Sequence, residues 1–187
     1  MTPILAFSAT AATWQNFYLL TGTAAATLIG LMFVAVTFGA SAVTAQSATT
    51  SARAFLDPPF THFVTVLFVA CLMLIPSMTP PVLGVAIVTV TALRTVALVG
   101  IFRRMREAHE RFGDIELSDW LMGILVPLAC YLGLLASGAG FLAGMAVAFT
   151  ALVVAIIVVL LLGVFAAWEL VLWMALTRLR AQEKNPA

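Results

Sequence analysis

Charge is scarce in this sequence. Lys and Arg together number 9 and Asp and Glu 8, so 9% of the 187 residues are charged and the formal net charge is +1. Soluble domains carry about 25% charged residues. A balance this near zero excludes the basic field that gathers nucleic acid, and no nucleic-acid partner is expected. Cysteine is scarcer, at 2. Neither Cys71 nor Cys130 has a cysteine or histidine at ligand spacing, so no metal site is expected and both read as small buried thiols. The sequence also lacks GxGxxG, a Walker motif, GxSxG, HExxH and the paired carboxylates of a membrane protease. No catalytic residue and no cofactor are therefore expected, and the chain reads as no enzyme.

Apolar residues fill the space that charge leaves. They make up 63% of the chain, against about 45–50% in soluble domains. A chain this short cannot hide that much apolar surface from water, because a small domain exposes much of its area. The solvent is read as lipid. The N-terminal "MTPILAFSATAAT" has no Lys or Arg and only a short apolar core, so no cleaved secretory signal is expected.

Apolar stretches and their punctuation predict an all-α bundle crossing the membrane five times, as one domain over 1–187. The spans are read at about 14–38, 58–78, 82–103, 120–137 and 141–177. Asp57 with Pro58 opens the second span, and Thr79 with Pro80 opens the third, by the cap-then-proline device. "RRMREAHERFG" continues the third helix into water over 103–113, with Arg103 and Glu107, and Arg106 and Glu110, at facing helical spacing. Pro127 lies inside the fourth span and is expected to kink it by freeing the Gly123 carbonyl. "SGAG" (137–140) is read as the turn into the fifth span, which is longer than a bilayer needs.

The basic residues set the orientation. Arg53 falls between spans one and two, Arg103, Arg104, Arg106 and Arg111 between three and four, and Arg178, Arg180 and Lys184 after five. All three regions lie on one side of a five-span chain, and the other side has no Lys or Arg. The positive-inside rule puts the N-terminus outside and the C-terminus in the cytoplasm. Trp14, Trp120 and Trp173 fall where aromatic belts sit, and His62, in the first turn of span two, reads as an interfacial anchor.

Two charges interrupt the apolar runs. Arg94 precedes Arg103 by nine residues and Glu169 precedes Arg178 by nine, about 13–14 Å of helix in each case. Spans three and five run in the same direction, so opposite charges stand at matching depth. The leading account is an intramembrane ion pair, Arg94 with Glu169, turned into the bundle. Snorkelling to the inner headgroups and a role at a pore or binding site are the competing accounts. Thr91 and Thr95 add polar groups beside Arg94, but threonine in a membrane helix commonly bonds its own backbone.

Small residues recur at every fourth position, as Gly22, Ala26 and Gly30 in span one and as Gly140, Gly144 and Ala148 at the start of span five. Such rows let helices approach closely, within a protomer or between subunits. Five spans enclose too little to form a wide pathway alone, so a homo-oligomer is expected. An oligomeric channel or transporter-like protein for ions or small solutes is the leading reading. The other is an accessory or scaffold subunit that docks a protein partner on the cytoplasmic extension.

Gly30, Leu31, Phe33, Val34 and Ala35 form a Gly-Leu-x-Phe-Val-Ala run, and Trp168 and Glu169 form a Trp-acid pair. In these the chain resembles small multipass bacterial inner-membrane proteins of no assigned activity. The resemblance covers about a sixth of the chain, implies a bacterial plasma membrane with lipid as the surrounding partner, and carries over no catalytic residue.

Overall fold

The computed structural model describes residues 3–40, 48–76, 78–112 and 125–184. They are helical nearly throughout, with no strand among them. The helices are α1 (Pro3–Thr13), α2 (Gln15–Ala40), α3 (Ala48–Leu74), α4 (Pro80–Phe112), α5 (Val126–Leu142) and α6 (Val147–Lys184).

Two stretches are long and apolar enough to cross a membrane, Gln15–Phe38 in α2 and Val147–Leu176 in α6. Three shorter apolar stretches accompany them, Pro59–Leu74, Pro80–Val96 and Val126–Leu142. The residues just before the last of these, 113–124, lie outside the described residues, and so does most of what was read as the start of span four.

The chain divides into two compact units. The first comprises 1–15 and 72–159. Its centre is the α4–α5 pair, where Leu83, Ile87 and Thr91 of α4 and Tyr131, Leu134 and Phe141 of α5 are buried. The second comprises 16–71 and 160–187. Here Tyr18 and Ala25 of α2, Phe63 and Val66 of α3 and Leu170 of α6 form the interior.

Several boundaries differ from the sequence expectation, each for a local reason. An additional helix, α1, precedes the first long one. The chain breaks at Trp14, whose N–H bonds the Ala11 carbonyl at 3.1 Å in a turn. Helix α3 starts at Ala48 and passes through Asp57, Pro58 and Pro59 instead of starting there. Pro58 and Pro59 thus lie inside the helix that they were expected to open.

The turn expected at Ser137–Gly140 is not there, because α5 continues to Leu142. Gly144 ends it instead, at φ 69°. The Met145 N–H bonds the Gly140 carbonyl at 2.9 Å and the Gly144 N–H bonds Phe141 at 3.2 Å. These are the two bonds of a Schellman stop, which needs a left-handed residue best supplied by glycine. Pro127 follows closely on Leu125, which is itself in helical conformation (φ −67°, ψ −45°), and the residues before Leu125 lie outside the described residues. Gly123, whose carbonyl it was expected to free, lies outside the described residues.

Candidate functional site

Helix α4 places Arg94. The helix is unbroken from Pro80 to Phe112, so the nine-residue interval from Arg94 to Arg103 is continuous helix of about 13.5 Å. Arg94 is half-buried in the first unit and engages other groups of the chain. Thr95, beside it, donates from Oγ1 to the Thr91 carbonyl at 2.9 Å. Thr91 itself is fully buried, and its Oγ1 has no hydrogen-bond partner. The threonines therefore divide. Thr21, Thr65 and Thr95 satisfy themselves on the preceding turn, as serine and threonine do in apolar helices. Thr91 does not, and a buried hydroxyl without a partner costs roughly 1–3 kcal/mol.

Register shows what Thr91 faces. A Cβ built on Gly84 would meet the Gly138 carbonyl oxygen at 2.8 Å, and one built on Gly138 would meet Val88 Cγ2 at 2.8 Å and the Gly84 oxygen at 3.2 Å. The α4 and α5 backbones thus touch at Gly84 and Gly138. The two helices are antiparallel, so moving seven residues along α4 from Gly84 to Thr91, about 10.5 Å, moves back along α5 from Gly138 and Leu142 to the turns that hold Tyr131 and Leu134. Thr91 and Tyr131 are both buried, and Arg94 follows one turn further along α4. Unit one therefore carries Thr91, Tyr131 and Arg94 as polar side chains within otherwise apolar helices.

Helix α6 places Glu169. It is a single helix of 38 residues, so the interval from Glu169 to Arg178 is also uninterrupted. Glu169 is exposed, as is Trp168, at 60%. Its neighbour Leu170 takes the buried position at 2%. The expectation that Glu169 turns into the interior is thus corrected. One residue is about 100° of helix, and the helix spends its inward face on Leu170. Glu169 still engages other groups of the chain.

His62 was expected to be an interfacial anchor. It is buried, at 6%, in the middle of α3. A Cβ on Gly163 would lie 3.2 Å from His62 Cβ and 2.6 Å from Phe63 Cε1, so α3 and α6 cross there in the second unit. The reading assumed that α3 began at Pro58, and the ten further N-terminal residues, 48–57, move His62 away from a helix end.

The small-residue rows are only partly packing surfaces. Gly22 meets Ala70 of α3, with 3.0 Å from its built Cβ. Ala26 and Gly30 are exposed, and nothing of the described chain lies within 4 Å of a Cβ on Gly30. Gly140 and Ala148 do meet, at 3.0 Å from the built Cβ. They belong to two helices joined by the turn. Gly144 packs nothing and serves as the turn residue. The closest pair, Gly84 with Gly138, was missed because the two glycines lie 54 positions apart in the sequence. Of the cysteines, Cys130 is buried and Cys71 is exposed. Among the described residues no three His, Cys, Asp or Glu side chains cluster as a metal site.

No protein-family model, no curated protein and no solved structure matches the chain.

Proposed function

We propose that the chain is a polytopic protein of a bacterial plasma membrane, crossing five times with its N-terminus outside and its C-terminus in the cytoplasm. It acts as an oligomeric channel or transporter-like protein for ions or small solutes. The observation that carries this reading is the pair of ionisable groups, Arg94 and Glu169, set in long helices that are otherwise without charge from 58 to 93 and from 120 to 168. A charge at the centre of a membrane helix is costly, by roughly 2.5–3.5 kcal/mol on insertion scales, and marks a pathway or a partner.

Equal helical distance from Arg103 and Arg178 favours a shared depth for the two groups. The exposure of Glu169 on the apolar α6 favours further cover from a neighbouring subunit. In this reading the pair has no part in bond-making chemistry, since a guanidinium beside a carboxylate holds it ionised and unfit as a base.

The test is solute and ion flux in liposomes. Wild-type protein conducts, and Arg94→Ala and Glu169→Gln change rate or selectivity. Flux unchanged by both substitutions counts against the channel reading.

A second reading, an accessory subunit of a larger complex, draws on one feature. Helix α4 runs unbroken beyond its apolar stretch, which ends at Val96, to Phe112. The part carrying "RRMREAHERF" offers a charged rod to a protein partner. Purification as a lone homo-oligomer with a central opening would argue against it.

A further inference from the structure

We propose that α1 and the α5–α6 turn form an apolar cap that seats in the headgroup–acyl boundary of the bilayer, with lipid as its occupant. The inference rests on the membrane reading above and adds an element to it.

Helix α1 has 11 residues, about 16 Å, half the roughly 30 Å of a hydrocarbon core, so it cannot span. It carries no charge, and the break at Trp14 separates it from α2. Its position within the first unit is set by three rings. Phe7 lies 6.1 Å from Phe141 and 5.1 Å from Phe149, and the latter two are 5.0 Å apart, edge to face. Phe141 closes α5 and Phe149 opens α6, so α1 is pinned to the tip of that hairpin. The start of α4 shares this end, since a Cβ on Gly84 would lie 2.8 Å from Leu142 Cγ.

This end of the unit lacks charge. No charged residue occurs in 1–52, 72–93 or 125–168. Large apolar side chains face outward at the tip, with Leu142 49%, Met145 53% and Val147 61% exposed. The same surface continues into the candidate span through Val154 and Leu161, 56% and 61% exposed. Whatever covers the span therefore continues to the tip without a charged border. The exposed polar side chains described near this end, Thr79 and Thr150 among them, are uncharged hydroxyls, and no charged residue stands with them as in the polar rim of a protein footprint. Half-buried Trp14 at the α1–α2 break is a side chain suited to the interfacial zone. With no basic residue on α1, binding is by apolar burial alone and is insensitive to anionic lipid.

The test uses a polarity-sensitive fluorophore on a single cysteine at Met145, and separately at Val147, in the Cys71→Ala, Cys130→Ala background. A third label at Leu161 sits at mid-span. The protein is reconstituted in phosphatidylcholine vesicles with lipids brominated at shallow or deep acyl positions. The cap predicts blue-shifted emission at Met145 and Val147, quenched several-fold more by shallow than by deep bromines, and unchanged by phosphatidylglycerol. Leu161 is quenched most by deep bromines. Water-like, unquenched emission at the tip with a quenched Leu161 overturns the cap and leaves the span intact. Blue-shifted but unquenched tip labels mean that protein covers it, which also overturns the proposal. Water-like emission at all three sites overturns the membrane reading itself.

Discussion

Gly84 and Gly138 meet backbone to backbone, and neither has room for a side chain. A Cβ on Gly84 would lie 2.8 Å from the Gly138 carbonyl oxygen and 2.8 Å from Leu142 Cγ. The first of these obstacles is main chain, so it cannot rotate aside. Gly84→Ala is expected to destabilise the protein by roughly 1–3 kcal/mol, the ordinary cost of overpacking. Thermal unfolding in detergent checks this, with Gly30→Ala as a comparison expected to change stability by less than about 0.5 kcal/mol.

The crossing of α3 and α6 makes a different prediction. The obstacle to a methyl on Gly163 is the ring of Phe63, at 2.6 Å, and that ring is itself fully buried. Gly163→Ala should therefore be destabilising alone and partly restored by Phe63→Leu, which shortens the obstacle. Residues in direct contact couple by roughly 0.5–3 kcal/mol. Additive unfolding shifts in the double variant would show that the two do not share this space.

Gly144 is constrained by backbone conformation and not by space, since its φ is 69° and nothing lies within 4 Å of a built Cβ. Gly144→Ala should cost about 1–2 kcal/mol, the left-handed penalty of an L-residue. Gly144→Asn should cost less, because asparagine tolerates this region. Comparable unfolding midpoints for the two would contradict the assignment.

The proposed orientation rests on where the arginines fall. A reporter active only in the cytoplasm, fused after Ala187, should be active. The same reporter inserted after Met78, in the short connection ahead of α4, should be silent. Reversed signals would invert the topology, and activity at both sites would rule out an odd number of crossings between them.

What could be read from the sequence follows from how local each signal is. Helical character, the start of α4 at Pro80 and the unusual length of α6 rest on neighbouring residues: prolines at a first turn, and apolar runs without a break. The α5–α6 turn was misplaced because four small residues, Ser137–Gly140, look like a turn. Its true determinant is one glycine at a left-handed φ, Gly144, and its spacing from Gly140 reveals this only when the Schellman bonds are seen. Trp14 gave a belt signal that concealed the helix break. The burial of His62 depended on a helix start ten residues earlier than the prolines indicated. Gly84 with Gly138 joins positions far apart in the chain, and no periodicity within one helix identifies such partners.

The central proposal, from the sequence spacing of the two charges, is that Arg94 and Glu169 act on each other within the membrane. Charge exchange tests it most directly. Unfolding midpoints in nanodiscs are compared for wild type, Arg94→Glu, Glu169→Arg and the doubly exchanged protein. If the two groups are paired, each single reversal juxtaposes like charges and lowers the midpoint, and the double exchange recovers most of the loss. Losses that simply add in the double variant would contradict the account.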